Sequence, residues 1–226
     1  MTFLRLITCI LVTIVTATAQ TTDESDSNII HLNAREIRTD TVTIKQMTQQ
    51  TTFLNSIPKT KGLYLVQWSQ PVQLAWRTEL ERLGLRIVDY VPENAYLVYG
   101  SPDSARSMWS NLSGRPQIRW MGVMQGSDKI HPDASPNSVR SAAAGAEGCL
   151  FAIQLVFDSA MNVTTLAQIN SAKAGSIVRQ WRSGDYYNII VPLPPATVNG
   201  LAQLPDVVSI QPYHIQSRWM NDRRSF

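Results

Sequence analysis

The feature that most constrains this chain is an internal repeat, because residues 62–123 and 148–212 carry the same order of sequence patterns. Each copy has an apolar strand, an amphipathic helix, two strands, a helix that begins with proline, and a last strand. Gly84 and Gly175 end the first helix of the two copies. The repeat therefore predicts two βαββαβ units in tandem.

The predicted fold class is α+β, with two tandem ferredoxin-like domains (open-faced sandwiches) whose antiparallel sheets each carry two helices on one face. The predicted segments are a signal peptide at 1–19, a partly disordered N-terminal extension at 20–61, the first unit at 62–130, a linker at 131–147, the second unit at 148–215 and a tail at 216–226. The other face of each sheet is expected to be uncovered. Because large apolar patches are seldom left in water, we expect a partner to bind there.

The N-terminus has the pattern of a secretory signal peptide. A short positive region ending at Arg5 precedes the apolar stretch Leu6–Ala17, and an Ala-x-Ala cleavage pattern ends at Ala19. The apolar stretch is short for a membrane span, although a retained anchor is the alternative. We therefore expect a secreted, extracellular protein, cleaved after Ala19, with no membrane association once the signal is removed.

Composition and spacing exclude several functions. The net charge is +3 and the Lys and Arg residues are scattered, so no nucleic-acid partner is predicted. His31, His131 and His214 lie in three separate segments without metal-ligand spacing, so neither a metal nor another cofactor is predicted. Cys149 is expected to be a small apolar residue at the start of a strand, and no G-x-S-x-G motif occurs. The sequence thus predicts no catalytic residue and no enzyme.

Five segments in order carry a resemblance to a known family. They are Tyr64–Trp68, Leu83-Gly84, Tyr90–Val98, Ile118–Val123 and Val208–Tyr213. Together they resemble the N-terminal prodomains of secreted subtilisin-like serine proteases, and more closely the fervidolysin-like group with its tandem prodomain units. The resemblance covers about residues 62–215.

The resemblance implies an inhibitor and folding chaperone of a subtilisin-like protease. In that family the bare sheet face docks on two surface helices of the enzyme, and the C-terminal segment lies in the substrate cleft. The residues that would contact the protease are Glu93 and Asp185 at the two hairpin tips, and Trp219, Met220, Arg223, Arg224 and Phe226 in the tail. A carboxylate at a hairpin tip would suit the positive amino end of a helix. A solvated turn residue and a frayed terminus are the plain alternatives.

One departure from the family is large, because the Asp, His and Ser motifs of a subtilisin-like catalytic domain are absent. The chain is then expected to act in trans, or in cis if it is a fragment of a longer protease precursor. An exported ligand-binding or adhesion module is a rival interpretation, since the fold alone does not choose a function. A truncated gene product without a partner is the third.

Overall fold

The computed structural model describes residues 28–32, 34–39, 52–138 and 149–213. An N-terminal hairpin of β1 (Ile29–His31) and β2 (Glu36–Arg38) precedes the first unit. The first unit consists of β3 (Gly62–Trp68), α1 (Leu74–Arg82), β4 (Arg86–Val91), β5 (Ala95–Gly100), α2 (Pro102–Leu112) and β6 (Ile118–Val123). Its four strands form one antiparallel sheet in the order β4-β5-β3-β6.

The second unit repeats this arrangement. It consists of β7 (Cys149–Val156), α3 (Ser159–Ala172), β8 (Arg179–Ser183), β9 (Tyr186–Leu193), α4 (Val198–Ala202) and β10 (Val207–Pro212). Its antiparallel sheet has the order β10-β7-β9-β8, which matches the order of the first sheet strand for strand. The predicted α+β class with antiparallel sheets is confirmed. Within the described ranges, no helix has the length and apolar content needed to cross a membrane.

Local sequence explains where the helices begin and end. Ser101 caps α2, since its side chain accepts a hydrogen bond from the backbone N–H of Ser104, and Pro102 follows at the first helical position. Asp158 caps α3 in the same way, accepting from the N–H groups of Ala160 and Met161. Gly84 has a φ of 79°, which a side chain would strain, and it turns the chain from α1 into β4.

Each sheet packs its helices onto one face. In the first unit, Tyr64, Val66 and Trp68 of β3 meet Leu80 of α1 and Met108 of α2. A helical turn at residues 52–56 adds Phe53, whose ring stacks on Trp109. In the second unit, the corresponding core contains Phe151, Ile153 and Leu155 from β7 with Ile169 from α3 and Leu201 from α4.

The second face of the first sheet is buried, which corrects the expectation that both sheets leave a face uncovered. Leu63 and Leu65 of β3 and Leu97 of β5 lie on this face and belong to an apolar cluster. The cluster is completed by Ile30 and Ile37 from the N-terminal hairpin and by Val156, Tyr186 and Val208 from the second unit. The covering elements are those that sequence reasoning had left aside, namely the leading segment and the sister unit.

Polar contacts hold the two units together at the same junction. The hydroxyl of Tyr186 donates to the Val88 carbonyl at 2.8 Å, and the Arg86 guanidinium donates to the Phe157 carbonyl at 2.9 Å. Asp158 accepts from Lys61 Nζ at 2.6 Å and from the Tyr99 hydroxyl at 3.3 Å. Burial, followed by the charge of Asp158, raises the pKa of Tyr99 well above its usual value, so its hydroxyl stays protonated and donates.

The segment that leaves the first sheet is bound to the second unit. Ile130 and Ala134 are buried in the core of the second unit, and the N–H of His131 donates to the Ile210 carbonyl at 2.9 Å. Arg35, between β1 and β2 of the hairpin, forms an ion pair with the buried carboxylate of Asp128, with 2.5 Å between Nε and Oδ1. Residues 131–138, predicted as part of the linker, therefore pack against the second unit, and the remainder of that linker lies outside the described residues.

Candidate functional site

The two sheets differ in how their first strands are buried. All seven residues of β3 are buried, whereas the burial of β7 alternates over most of its length. Alternation is typical of a strand with one face on a core and the other towards solvent. The second sheet therefore keeps one face partly exposed, and we call this surface the open face.

Cross-strand pairing defines the rows of side chains on the open face. One row runs across the four strands through Ser209, Gln154, Asn188 and Trp181. The next row runs through Gln211, Ala152, Ile190 and Arg179. The rows carry amides, a hydroxyl, an indole and one guanidinium around Ile190, which is itself buried, and none of these eight residues belongs to the three apolar clusters of the described chain. The polar content explains why this face tolerates water and the corresponding face of the first sheet does not.

The side chains of the open face are held in place by one another. Gln154 Nε2 donates to Asn188 Oδ1 at 3.2 Å, which orients two neighbouring amides. The Arg179 guanidinium lies 4.7 Å from the centroid of the Trp181 ring, in a cation–π contact. The last row of the face, with Val156 and Tyr186, is already covered by the first unit. The free end of the sheet therefore presents side chains that are held in place by their neighbours.

A cleft opens where the open face meets the first unit. Gln154, Ser209 and Gln211 line one side, and Leu65 and Leu97 line the other. Asp128, Lys129, His31 and His131 also border the cleft. Burial lowers the pKa of Lys129 to about 8, opposed by the charges of Asp206 and Asp128, and its ammonium donates to the Leu204 carbonyl at 2.8 Å. Because the Lys129 ammonium is bonded to Leu204, in the loop after α4, it serves the junction between the units.

Glu93 lies at the tip of the β4–β5 hairpin in an unusual backbone conformation. Its φ is 68° and that of Asn94 is 60°, although neither residue is glycine. The tip is anchored because Gln67 Nε2 donates to the Glu93 carbonyl at 3.0 Å and the Trp68 N–H donates to the Asn94 carbonyl at 2.9 Å. A residue held in a left-handed conformation costs stability, and such positions are enriched at functional sites.

Asp185 lies at the tip of the β8–β9 hairpin, with an exposed side chain. Its carbonyl accepts a hydrogen bond from the Phe157 N–H at 2.7 Å, and its side chain borders a groove beside α1 and β4. No hydrogen bond or ion pair joins Asp185 to Glu93 in the described part of the chain. The two predicted contact residues thus sit on separate hairpins. The predicted tail contacts, Trp219, Met220, Arg223, Arg224 and Phe226, lie outside the described residues.

Sequence reasoning missed the residues of the open face, although a signal for them was present. The run Leu63–Val66 is apolar without interruption, which indicates a strand buried on both faces. In β7, by contrast, Ala152 and Gln154 alternate with larger apolar residues, which indicates one wet face. Comparing these two strands would have assigned the exposed face to the second unit alone.

Titratable groups do not gather into a metal centre in the ranges described: no three His, Cys, Asp or Glu side chains lie close enough together to hold a metal ion.

Residues 31–125 match a family model described as a domain of unknown function (DUF8729). The match begins at the last residue of β1 and ends just after β6, so the part of the chain that is similar to this family runs from the hairpin to the end of the first unit. No curated protein matches the chain.

Proposed function

We propose that this protein is a secreted, non-catalytic binding protein, and that its partner is a subtilisin-like serine protease, which it inhibits or helps to fold. The partner docks on the open face of the second sheet, and the tail that contains Trp219 and Phe226 enters the substrate cleft. The protease acts in trans, or in cis if the chain belongs to a longer precursor. The support for the partner class is the resemblance of residues 62–215 to the family of prodomains.

We also propose that the two units are ferredoxin-like domains. The strand orders β4-β5-β3-β6 and β10-β7-β9-β8 support this, because each places the first strand of its unit between the third and the fourth. The helices α1 and α2, and α3 and α4, connect the strands in the order that a βαββαβ unit requires.

The observation that carries the docking proposal is the difference between the two sheets. The second face of the first sheet is covered by the hairpin and by the second unit. The open face of the second sheet keeps Trp181, a residue type enriched at the centre of protein interfaces, beside orienting amides. A docking mode that uses a sheet face therefore has one surface available to it in the described chain.

A matched pair of substitutions tests this proposal. Ala152→Arg places a charge in the middle of the open face, and Ala167→Arg places the same charge on the exposed side of α3. Across a panel of subtilisin-like proteases, we expect the unmodified chain to inhibit at least one enzyme. Ala152→Arg should weaken that inhibition by about tenfold or more, because the complex would bury the arginine charge without an opposite charge beside it. Equal inhibition by both variants would refute docking on the open face, and no inhibition of any enzyme would refute the function.

A second candidate function rests on the cleft between the units. Clefts at domain interfaces that combine apolar walls with a few polar groups are common ligand sites. The cleft has such walls, with Leu65 and Leu97 facing Gln154 and Gln211. If the protein is an exported ligand-binding module, Gln154→Leu should abolish ligand-induced changes in tryptophan fluorescence, and a ligand response that this substitution leaves unchanged would exclude the cleft as the ligand site.

A further inference from the structure

The outer edge of β8 differs from the other outer edges of the two four-stranded sheets. The outer strands β4, β6 and β10 each contain a shift of register against their neighbours. β8 pairs with β9 through five consecutive residue pairs without a shift. Bulges protect an edge from pairing with another chain, so β8 is the outer strand that lacks this protection.

The outer strands β4 and β10 also have contacts on their outer sides. Tyr186 donates to the Val88 carbonyl of β4, and the outer side of β10 is bridged by Ile130. No described strand pairs with the outer side of β8, where four of the five residues are exposed. Alternate residues of such a strand point their N–H and C=O groups away from the sheet, which is the template for an added strand.

Two arginines on β8 are ordered but lack a carboxylate partner. Arg179 stacks on Trp181, and Arg182 lies 3.9 Å from the centroid of the Phe157 ring. Arg182 Nε also donates to the Gly184 carbonyl at 3.1 Å. Neither guanidinium takes part in an ion pair among the described residues, whose pairs involve other cations. A planar guanidinium held on a ring is prearranged for bidentate binding of a carboxylate.

The positions of the two arginines define the chemistry of a partner. Arg179 pairs with Ile190 on the open face, and Arg182 pairs with Tyr187, whose side chain packs on the helix-side core, so the charges stand on opposite faces of the strand. The strand itself contains no acidic residue, and Asp185 follows only at the exposed turn. An added strand would therefore be favoured if it carried carboxylates on both of its faces.

We propose that the outer edge of β8 binds an extended, acidic peptide segment of a partner protein as an additional strand. Main-chain hydrogen bonds would provide the pairing, and Arg179 and Arg182 would select carboxylates. Arg179 belongs to both the edge and the open face, whereas Arg182 and the outward main-chain groups of β8 belong to the edge alone, so binding of a peptide strand does not require docking of a protease.

Binding of synthetic peptides to the full chain tests the proposal. The probe is the labelled peptide Val-Glu-Glu-Val-Thr-Glu-Glu-Val, compared with an analogue in which Gln replaces Glu and with one that is N-methylated at alternate backbone nitrogens. By fluorescence anisotropy, both analogues should bind about tenfold or more weakly than the parent peptide, since one loses charge-assisted bonds and the other loses main-chain bonds. Amide chemical shifts should change at 179–183.

Variants complete the test. The double variant Arg179→Gln/Arg182→Gln should weaken binding of the parent peptide by about tenfold. The control Arg82→Gln/Arg106→Gln removes two exposed arginines from α1 and α2 and should change binding by less than about twofold. Binding that survives N-methylation or the β8 substitutions would overturn the proposal. So would failure of the parent peptide to bind, in which case the arginines would only guard the edge against self-association.

Discussion

Truncation of Leu65 should destabilise this protein strongly, because the second face of the first sheet is an interior surface. Leu65 is only 1% exposed and packs with residues of the hairpin and of the second unit. Replacing a buried leucine with alanine costs about 2–5 kcal/mol through lost transfer energy and the cavity left behind. On an uncovered sheet face the same change would cost less than about 1 kcal/mol. The matched control is Leu150→Ala, since Leu150 lies on the equivalent face of β7, is partly exposed and belongs to none of the apolar clusters described.

Chemical denaturation followed by tryptophan fluorescence measures the difference between the two variants. We expect Leu65→Ala to lower the free energy of unfolding by about 3 kcal/mol and the melting temperature by about 6–12 °C, given the usual scaling for a chain of this size. Leu150→Ala should lower the free energy by about 1 kcal/mol or less. Equal, small effects of both substitutions would show that the first sheet is as open as the second, and would refute the burial argument.

Three further predictions concern single residues. Glu93→Gly should raise the free energy of unfolding by about 1 kcal/mol, because glycine tolerates a positive φ, and should weaken protease inhibition if the carboxylate contacts the enzyme; unfolding and inhibition assays on one preparation check both. Asn162→Asp should cost about 3 kcal/mol near neutral pH and less in acid, because the Asn162 amide donates to buried Asp206 at 2.7 Å and a second carboxylate would repel it; no pH dependence of that loss would contradict the reason. Lys129→Met should remove a rise in stability between about pH 8 and pH 10.5, the range in which the unfolded chain binds the proton that burial disfavours; urea unfolding at several pH values tests this.

The order of helices and strands could be predicted because it depends on local patterns. Ser101-Pro102 begins α2, Gly84 ends the turn after α1, and Pro92-Glu93-Asn94 marks the β4–β5 turn. Each of these signals acts within a few residues of the structure that it determines. Because the same order of patterns occurs in both copies, each helix and strand was indicated twice.

The burial of the first sheet depends on contacts between residues far apart in the chain. Arg35 and Asp128 form their ion pair across 93 positions, and Tyr186 reaches Val88 across 98. Nothing in the local sequence of β1 or β2 indicates which surface they cover, since three-residue strands carry little periodicity. The uninterrupted apolar run Leu63–Val66 could have shown that a cover exists, but not which elements supply it.

The candidate site was predicted in part. Glu93 and Asp185 were assigned to hairpin tips, and the structure places both there. An uncovered sheet face was expected in both units, although only the second unit has the alternation of polar residues that allows a face to stay in contact with water. The position of Trp181 on the open face follows from its pairing with Asn188 across the sheet, which the local sequence does not show. The tail residues stay a prediction.

The central claim is that a protease docks on the open face of the second sheet, and a hydrogen-exchange footprint of the complex tests it most directly. With a protease that the chain inhibits, we predict slower exchange in β7, β8 and β9 and unchanged exchange in β3 and β5, whose faces are already covered. Slower exchange confined to the first unit, or no change with any enzyme of the panel, would contradict the claim.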